Sequence, residues 1–368
     1  MNIPFLLEEL LKSKTPSGYE DAGQSDWATF VNANLGDNVV AEHDLLGNVW
    51  ATINGATCKP NVMVVGHGDQ IGIMVTGASD KGYIYFAAVG GVDVPIIPGS
   101  RVLFVNRNNL IGVVGRQPTH LQDDDDEDDP KKIKCRNLWI DIGASSKAEA
   151  LKAAPVGSVA CLSQFLPVHM QNDLITATAI DDKVGAYVAA EVLMRTMHDP
   201  MHYPEYDLPV MVTGVSAAQE EIGSFGAKVL AERINPTAAI VVDVGFATDT
   251  PDEDDAKRVG SVSLGAGPML GIGPAINRVL NNCLTETANR LGIDVQMVPE
   301  PSETGTDADV IRLTGAGIPT VNVSIPVRYM HTPVEVCSLK DVENTVRLIH
   351  AALPHIVRIK DFSSWGCV

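Results

Sequence analysis

The tetrad Gln219-Glu220-Glu221-Ile222, followed at once by Gly223, places two adjacent carboxylates at the end of an apolar run, Leu208 to Val215, that reads as a buried strand. Adjacent carboxylates repel, and at a buried site each is unfavourable without compensation. A divalent metal supplies it: one carboxylate ligates the ion, and its neighbour stays free to take a proton from water activated there. The alternative is a surface Glu pair opening a helix, where acidic residues favour the positive end of the helix dipole. Four further segments repeat the arrangement and weigh against that alternative. The run 61–65 leads into Gly66-His67-Gly68-Asp69, Leu174 to Ile180 into Asp181-Asp182, and 238–242 into Asp243. The run 320–325 leads through Arg328-Tyr329-Met330 to His331.

Buried runs of this kind suit the central strands of a mostly parallel sheet, and ligands of open α/β sheets gather beyond the carboxyl ends of such strands. The strand ends therefore offer His67, Asp181, Glu221, Asp243 and His331 to one place. Two imidazoles and three carboxylates suit a pair of divalent metals with one carboxylate bridging, for which Asp181 is the candidate. Asp69, two residues after His67, suits the carboxylate that holds a ligating imidazole in one tautomer; a plain turn is the alternative. Asp182 reads as a helix N-cap. Asp249 reads as turn chemistry. Thr304-Gly305-Thr306-Asp307-Ala308 is a Gly-containing loop opening a helix. It either places donors near a substrate through Thr306 and Asp307 or is an ordinary cap. Arg328 is a further candidate substrate contact.

Helices are expected near Lys183 to Met197, Gly223 to Arg233, Pro274 to Leu291 and Leu339 to Ala352, alternating with the strands above. The stretch from about 75 to 167 differs: short alternating runs at 81–86, 101–105, 110–114, 138–142 and 156–159, separated by turn residues, predict a small β-barrel. The expected organisation is an α/β domain formed by 1–74 and 168–368, interrupted by an inserted β-barrel domain at 75–167. Inside the insert, Asp123-Asp-Asp-Asp-Glu-Asp-Asp129 reads as a solvated acidic loop.

At 368 residues the chain suggests two domains, and 45% hydrophobic content is ample for a core. The formal charge of −19 argues against nucleic-acid binding, which requires a basic face. No apolar stretch reaches the length of a membrane span. The N-terminus reads as a short amphipathic helix rather than a signal peptide, which places the protein in the cytoplasm as an expectation. The six cysteines are scattered without close pairs, against a zinc knuckle or disulfide framework. There is no H-E-x-x-H, G-x-S-x-G or P-loop signature.

With these residues in hand, the chain resembles the M42 family of metallo-aminopeptidases, the glutamyl and tetrahedral aminopeptidase group, over 5 to about 355. The carriers are 66–72, 180–185, 219–223, 242–244, 305–308 and 328–333, in that order. The resemblance implies a peptidase domain of the co-catalytic zinc exopeptidase type and an inserted barrel. It also implies two zinc or cobalt ions, with manganese a further option, and a homo-oligomer that is often a dodecamer. Carried over by position, His67, Asp181 and Asp243 would hold one metal, and Asp181, Glu221 and His331 the other. Glu220 would be the general base and Asp69 the clamp on His67. Gln70 departs from the family's usual Glu, and Lys183 from its frequent Arg. The implied reaction is hydrolysis of the first peptide bond, with the substrate's α-amine bound at the metal centre. A related metal-dependent deacylase or carboxypeptidase would use the same ligands, and blocking the substrate's amine separates the two. A metal-stabilised assembly protein needs the ligands but no free base, so Glu220 argues against it. A glycosidase ranks below both, since it needs carboxylates flanking a sugar.

Overall fold

The computed structural model describes residues 1–36, 39–53, 60–107, 110–118, 133–162, 166–198, 211–251 and 255–363. The acidic run at 123–129 lies outside them. Four parallel strands form the centre of the main sheet in the order Met211–Ala217, Asn61–His67, Ala238–Phe246 and Thr320–Arg328. Their Val, Ile and Ala side chains are buried on both faces, as a central parallel sheet requires. Antiparallel strands complete the edges, Val49–Ile53 on one side and Glu335–Ser338 with Leu174–Ala177 on the other.

One face of the sheet is covered by the helices Phe5–Lys12, Asp21–Asn34, Ile180–His198, Arg278–Leu291 and Leu339–Ile356, whose Leu6, Leu7, Trp27, Val188, Leu284 and Ile349 share a single core with the strands. The Ile180–His198 helix is buried on nearly every side and packs directly on the central strands, so its first turn is held against the strand ends. Phe225–Ile234 and the short Ala308–Ile311 cover the other face through a second core around Val65, Val215, Val241 and Leu230.

The inserted segment closes into a six-stranded antiparallel barrel, in the order Gly72–Ala78, Ile84–Val89, Leu138–Asp141, Ile111–Arg116, Arg101–Phe104 and Val159–Leu162. It has its own core of Ile73, Ile84, Phe86, Val102, Phe104 and Ile140. Closure removes the exposed edges that so many short strands would otherwise present. The barrel also carries a helix, Lys147–Ala153, that the strand-like spacing does not predict; Ser146 caps it by accepting from Glu149 N.

Some expected boundaries move. The strand expected over Leu174 to Ile180 ends at Ala177, while Asp181 and Asp182 have non-helical φ/ψ, so the regular helix starts after them, near the expected Lys183. Asp243 does not close its strand, which continues to Phe246. Among the described residues, no helix is long and apolar enough to cross a membrane. Cys135, Cys161, Cys283 and Cys337 are free thiols.

Candidate metal centre

The parallel register sets His67 beside Ala217, so the strand carrying His67 and the strand leading to Glu220-Glu221 end at one level. After Ala217 the chain turns sharply, with Gln219 in the left-handed region at φ 59°, and delivers both glutamates to the same cavity as His67, Asp181, Asp243 and His331. Asp181 stands between the imidazoles: its Oδ1 is 3.2 Å from His67 Nε2 and its Oδ2 is 3.2 Å from His331 Nε2. Glu221 Oε2 lies 3.5 Å from His331 Nε2, and Glu220 Oε2 lies 3.9 Å from His67 Nε2. Ligand atoms of His67, Asp181 and Glu221 fall within 4.8 Å of one another, as do those of His67, Asp182 and Asp243. All five sequence-designated ligands thus converge, with Asp182 added.

Asp182 has a different employment. Its Oδ1 accepts from Gly185 N at 3.0 Å, the capping bond expected of it, while its Oδ2 accepts from His67 N at 3.0 Å. Both oxygens are engaged by backbone, so Asp182 ties the helix start to the His67 strand and leaves Asp181 as the carboxylate facing the cavity.

Burial raises the carboxyls of Glu221 and Asp243 well above the usual range, with Asp181 adding to the first and Asp182 to the second. Glu220 is also raised, chiefly by burial, against an opposing effect of His67. Asp181 goes the other way: burial opposes its charge, but the contacts from His331 and His67 outweigh it and hold the carboxyl low. In His67 burial disfavours the imidazolium, yet Asp181 and Asp69 raise it well above the ordinary histidine value. An isolated buried carboxylate would cost tens of kcal/mol by continuum reasoning. This cluster is acceptor-rich and asks for positive charge, and its imidazole and carboxylate donors are those that zinc, cobalt and manganese accept. The residues present therefore fit divalent metal.

Supporting residues complete the frame. Asp69 is fully buried; Ser17 Oγ donates to its Oδ2 at 2.6 Å, and the amides of Glu220 and Glu221 donate to Oδ1 and Oδ2 at 3.0 and 3.2 Å. It lies 3.4 Å from His67 Nδ1, an ion-pair separation without hydrogen-bond alignment. One carboxylate thus fixes the backbone of both glutamates and stands beside the histidine. His331 Nδ1 is 2.9 Å from the carbonyl oxygen of Gly91, between barrel strands. A Cβ at residue 91 would stand 2.8 Å from that nitrogen, so the contact requires glycine.

Glu335 is the residue that strand-end reasoning misses. It is buried, its Oε2 accepts from Asp181 N at 3.0 Å, and its Oε1 accepts from His331 N at 2.9 Å. No local pattern marks it; a glutamate four residues after His331 in an apolar run was the available signal. Glu335→Gln puts an amide donor against one of these N–H groups. We expect it to fold and to weaken metal binding roughly 10- to 100-fold, the range for losing such outer support, as read by chelator competition. Unaltered affinity would show that Asp181 and His331 hold their places without it.

Gln70 and Lys183 prove to be one contact. The buried Lys183 Nζ donates to Gln70 Oε1 at 2.9 Å and to Ser13 O at 2.6 Å. Burial pushes this ammonium down to about 8. Of the candidate substrate contacts, Thr306 lines the cavity, and its Oγ1 accepts from Ala308 N at 3.2 Å, a cap. Asp307 is buried with Oδ1 unpartnered. Arg328 Nε and Nη2 form a fork with Asp249 at 2.7 and 2.6 Å, so the guanidinium is engaged and Asp249 does more than shape a turn.

A model of the M42 glutamyl aminopeptidase family matches residues 47–348. The chain is 32% identical to the lysyl aminopeptidase of Pyrococcus furiosus over 95% of this chain and 96% of that one. Among solved structures it is similar to the TET aminopeptidase of a marine-sediment Thaumarchaeota archaeon, with a TM-score of 0.84 at 29% identity over 95% of each chain. It is also similar to the Pyrococcus horikoshii TET1 peptidase, which can assemble into a tetrahedron or a large octahedral shell, with a TM-score of 0.79 at 27% identity over 95% of this chain and 98% of that one.

Proposed function

This chain belongs to the M42 glutamyl aminopeptidase family, and from that premise we propose that it removes the N-terminal residue of peptides at a two-metal site with Glu220 as general base. The observation that carries the reading is Asp181 set 3.2 Å from an imidazole on each side, beside a pair of glutamates whose amides share one buried aspartate. His67, Asp181 and Asp243 would hold one ion, and Asp181, Glu221 and His331 the other. Such ions, when bound, polarise a carbonyl and bring a water's pKa toward neutrality.

The chain's own groups do the rest. Glu220 takes a proton from the attacking water and returns it to the leaving amine; its raised carboxyl suits a group that must do both. Asp69 holds His67 and the glutamate pair in place, and Glu335 does the same for Asp181 and His331. The Thr304–Thr306 loop walls the cavity where substrate would lie, with Asp307 behind it, whereas Arg328 is engaged by Asp249 and is not part of that lining. The acceptor-rich lining favours a substrate with a free α-amine. Self-association into a closed homo-oligomer, a dodecamer by family resemblance, is part of the same proposal.

Chelator-stripped protein is expected to hydrolyse no aminoacyl p-nitroanilide. Zinc, cobalt or manganese should restore turnover of the free-amine substrates and not of their N-acetylated counterparts. Turnover of the blocked substrates would move the reading to a deacylase. Metal uptake without hydrolysis of either set would leave a metal-stabilised scaffold. The family description says glutamyl and the Pyrococcus furiosus relative is lysyl, so the preferred residue has to be read from this chain's own cavity.

A further inference from the structure

The cavity that holds the metal centre has a volume of about 670 Å³ and extends past the ligands along the strand Thr320–Arg328. Ser324 pairs in register with Asp243, so it marks the level of the ligands, and Asn322 lies two residues before it, beside Val241. Residues two apart share a face of a strand and are separated by roughly 6.6 Å. Asn322 is 2% exposed and lines the cavity, yet its Oδ1 has no hydrogen-bond partner. A buried amide oxygen left unmatched is costly and marks a place where a donor is wanted.

Glu300 lines the same extension, and its Oε2 is also unpartnered. Its backbone is fixed by Glu300 N donating to Ile272 O at 2.8 Å, and its carboxylate lies over Gly271, where a Cβ would stand 2.7 Å from the carboxyl atoms. Among the described residues, no Lys, Arg or His lies within ion-pair distance of it. Burial, with Asp309 adding, pushes this carboxyl up to about 7 even though Asn322 hydrogen-bonds to it, the position of an acid with no cation at hand. Asp309, unlike Glu300, has a cation beside it: Oδ2 accepts from the amides of Thr304 and Gly305, and Oδ1 lies 3.5 Å from Arg312 Nε, an ion-pair separation without a hydrogen bond. The walls leading to Glu300 include Met269 and Val298, both apolar and mostly buried.

Resting on the aminopeptidase reading above, we propose that this extension receives the side chain of the substrate's N-terminal residue and selects a cation, lysine or arginine, with Glu300 as the specificity-determining residue. The four-carbon stem of lysine spans about the distance from the ligand level to Asn322. Met269 and Val298 receive its methylenes, and Glu300 Oε2 and Asn322 Oδ1 accept from its ammonium. A side chain without a donor leaves both oxygens unmatched, and a carboxylate sets like charges together, so both are refused.

The test measures binding and turnover together on metal-loaded protein. Calorimetry with L-lysine, L-norleucine and L-glutamate compares side chains of similar reach, and the matching p-nitroanilides give kcat/KM. Lysine is expected to bind roughly 10- to 100-fold more tightly than norleucine, the range of a charge-assisted hydrogen bond. In Glu300→Gln, which keeps size and the Asn322 contact, the lysine-to-norleucine ratio should collapse toward one at equal metal content. Norleucine or glutamate bound as tightly as lysine by the wild type would overturn the pocket, whatever the turnover. Selective lysine binding with no hydrolysis of any p-nitroanilide would support the pocket and refute the aminopeptidase reading instead. The wild-type preference decides the matter independently of how well the variant folds.

Discussion

Glu220→Gln should bind metal as the wild type does and hydrolyse free-amine aminoacyl substrates about a hundredfold more slowly or worse, within the 10²- to 10⁴-fold range of a general base. The substitution is nearly isosteric, and the Ser224 hydroxyl that stands 3.4 Å from Glu220 Oε1 can still donate to an amide oxygen. The fold therefore has no reason to change. Metal retention follows from the division of labour between the neighbours: Glu221 falls in a ligand cluster with His67 and Asp181, whereas Glu220 falls in none. Glu220 sits at the edge of the cluster, 3.9 Å from His67, open to the cavity on its other side. An amide cannot take a proton, so the chemical step and not substrate binding should suffer, with kcat falling and KM moving little. Metal content by mass spectrometry of the intact protein, alongside steady-state rates, separates the outcomes. Near-wild-type turnover would remove Glu220 from the mechanism, and lost metal would make it a ligand.

Gly66→Ala is expected to destabilise the protein by about 3 kcal/mol or more, at the upper end of overpacking effects. The methyl would land 2.1 Å from the carbonyl carbon of Gly185 and 2.3 Å from the amide nitrogen of Ala186. Carbon atoms in contact prefer about 3.5–4.0 Å, and here both neighbours are backbone, with no side chain able to swing aside. The strand and the helix meet at this point because Asp182 Oδ2 accepts from His67 N and Oδ1 caps the helix at Gly185. Pushing them apart therefore also pulls His67 away from Asp181. Denaturant unfolding should show a lower midpoint with an unchanged slope, and metal affinity should fall with it. A wild-type midpoint would mean that strand and helix do not touch there.

The strand ends were legible in the sequence because each ligand-type residue lies in or just after a mostly apolar run. Such a run has few readings besides a buried strand once Gly or Asp punctuates it. The barrel was legible for the complementary reason, since its strands alternate in burial with a period of two, as in Ile84–Val89. Boundaries were less so. The run 174–180 reads as one strand, yet the strand ends at Ala177 and the regular helix starts only after the non-helical Asp181 and Asp182.

Other features were beyond any local pattern. Glu335 reads as a polar interruption before Val336, and its role exists only because its two oxygens meet the amides of Asp181, 154 positions away, and His331. Ser17 meets Asp69 across 52 positions, and the carbonyl of Gly91 in the barrel meets His331 across 240. Gln70 and Lys183 looked like two separate departures from a family pattern until their side chains were seen to touch.

By itself the sequence determined the kinds of chemistry available and the strands and helices that could carry them. Residue type decides what an atom can ligate or protonate, and hydrophobic period decides local conformation. Tertiary structure alone decided which polar groups face one another: which aspartate lies between the imidazoles, which is spent on backbone amides, and which acceptors in the cavity remain unmatched. Those pairings follow from register, close packing of backbone at Gly66, and the docking of one barrel loop on the sheet. Each depends on contacts between segments that are far apart in the chain.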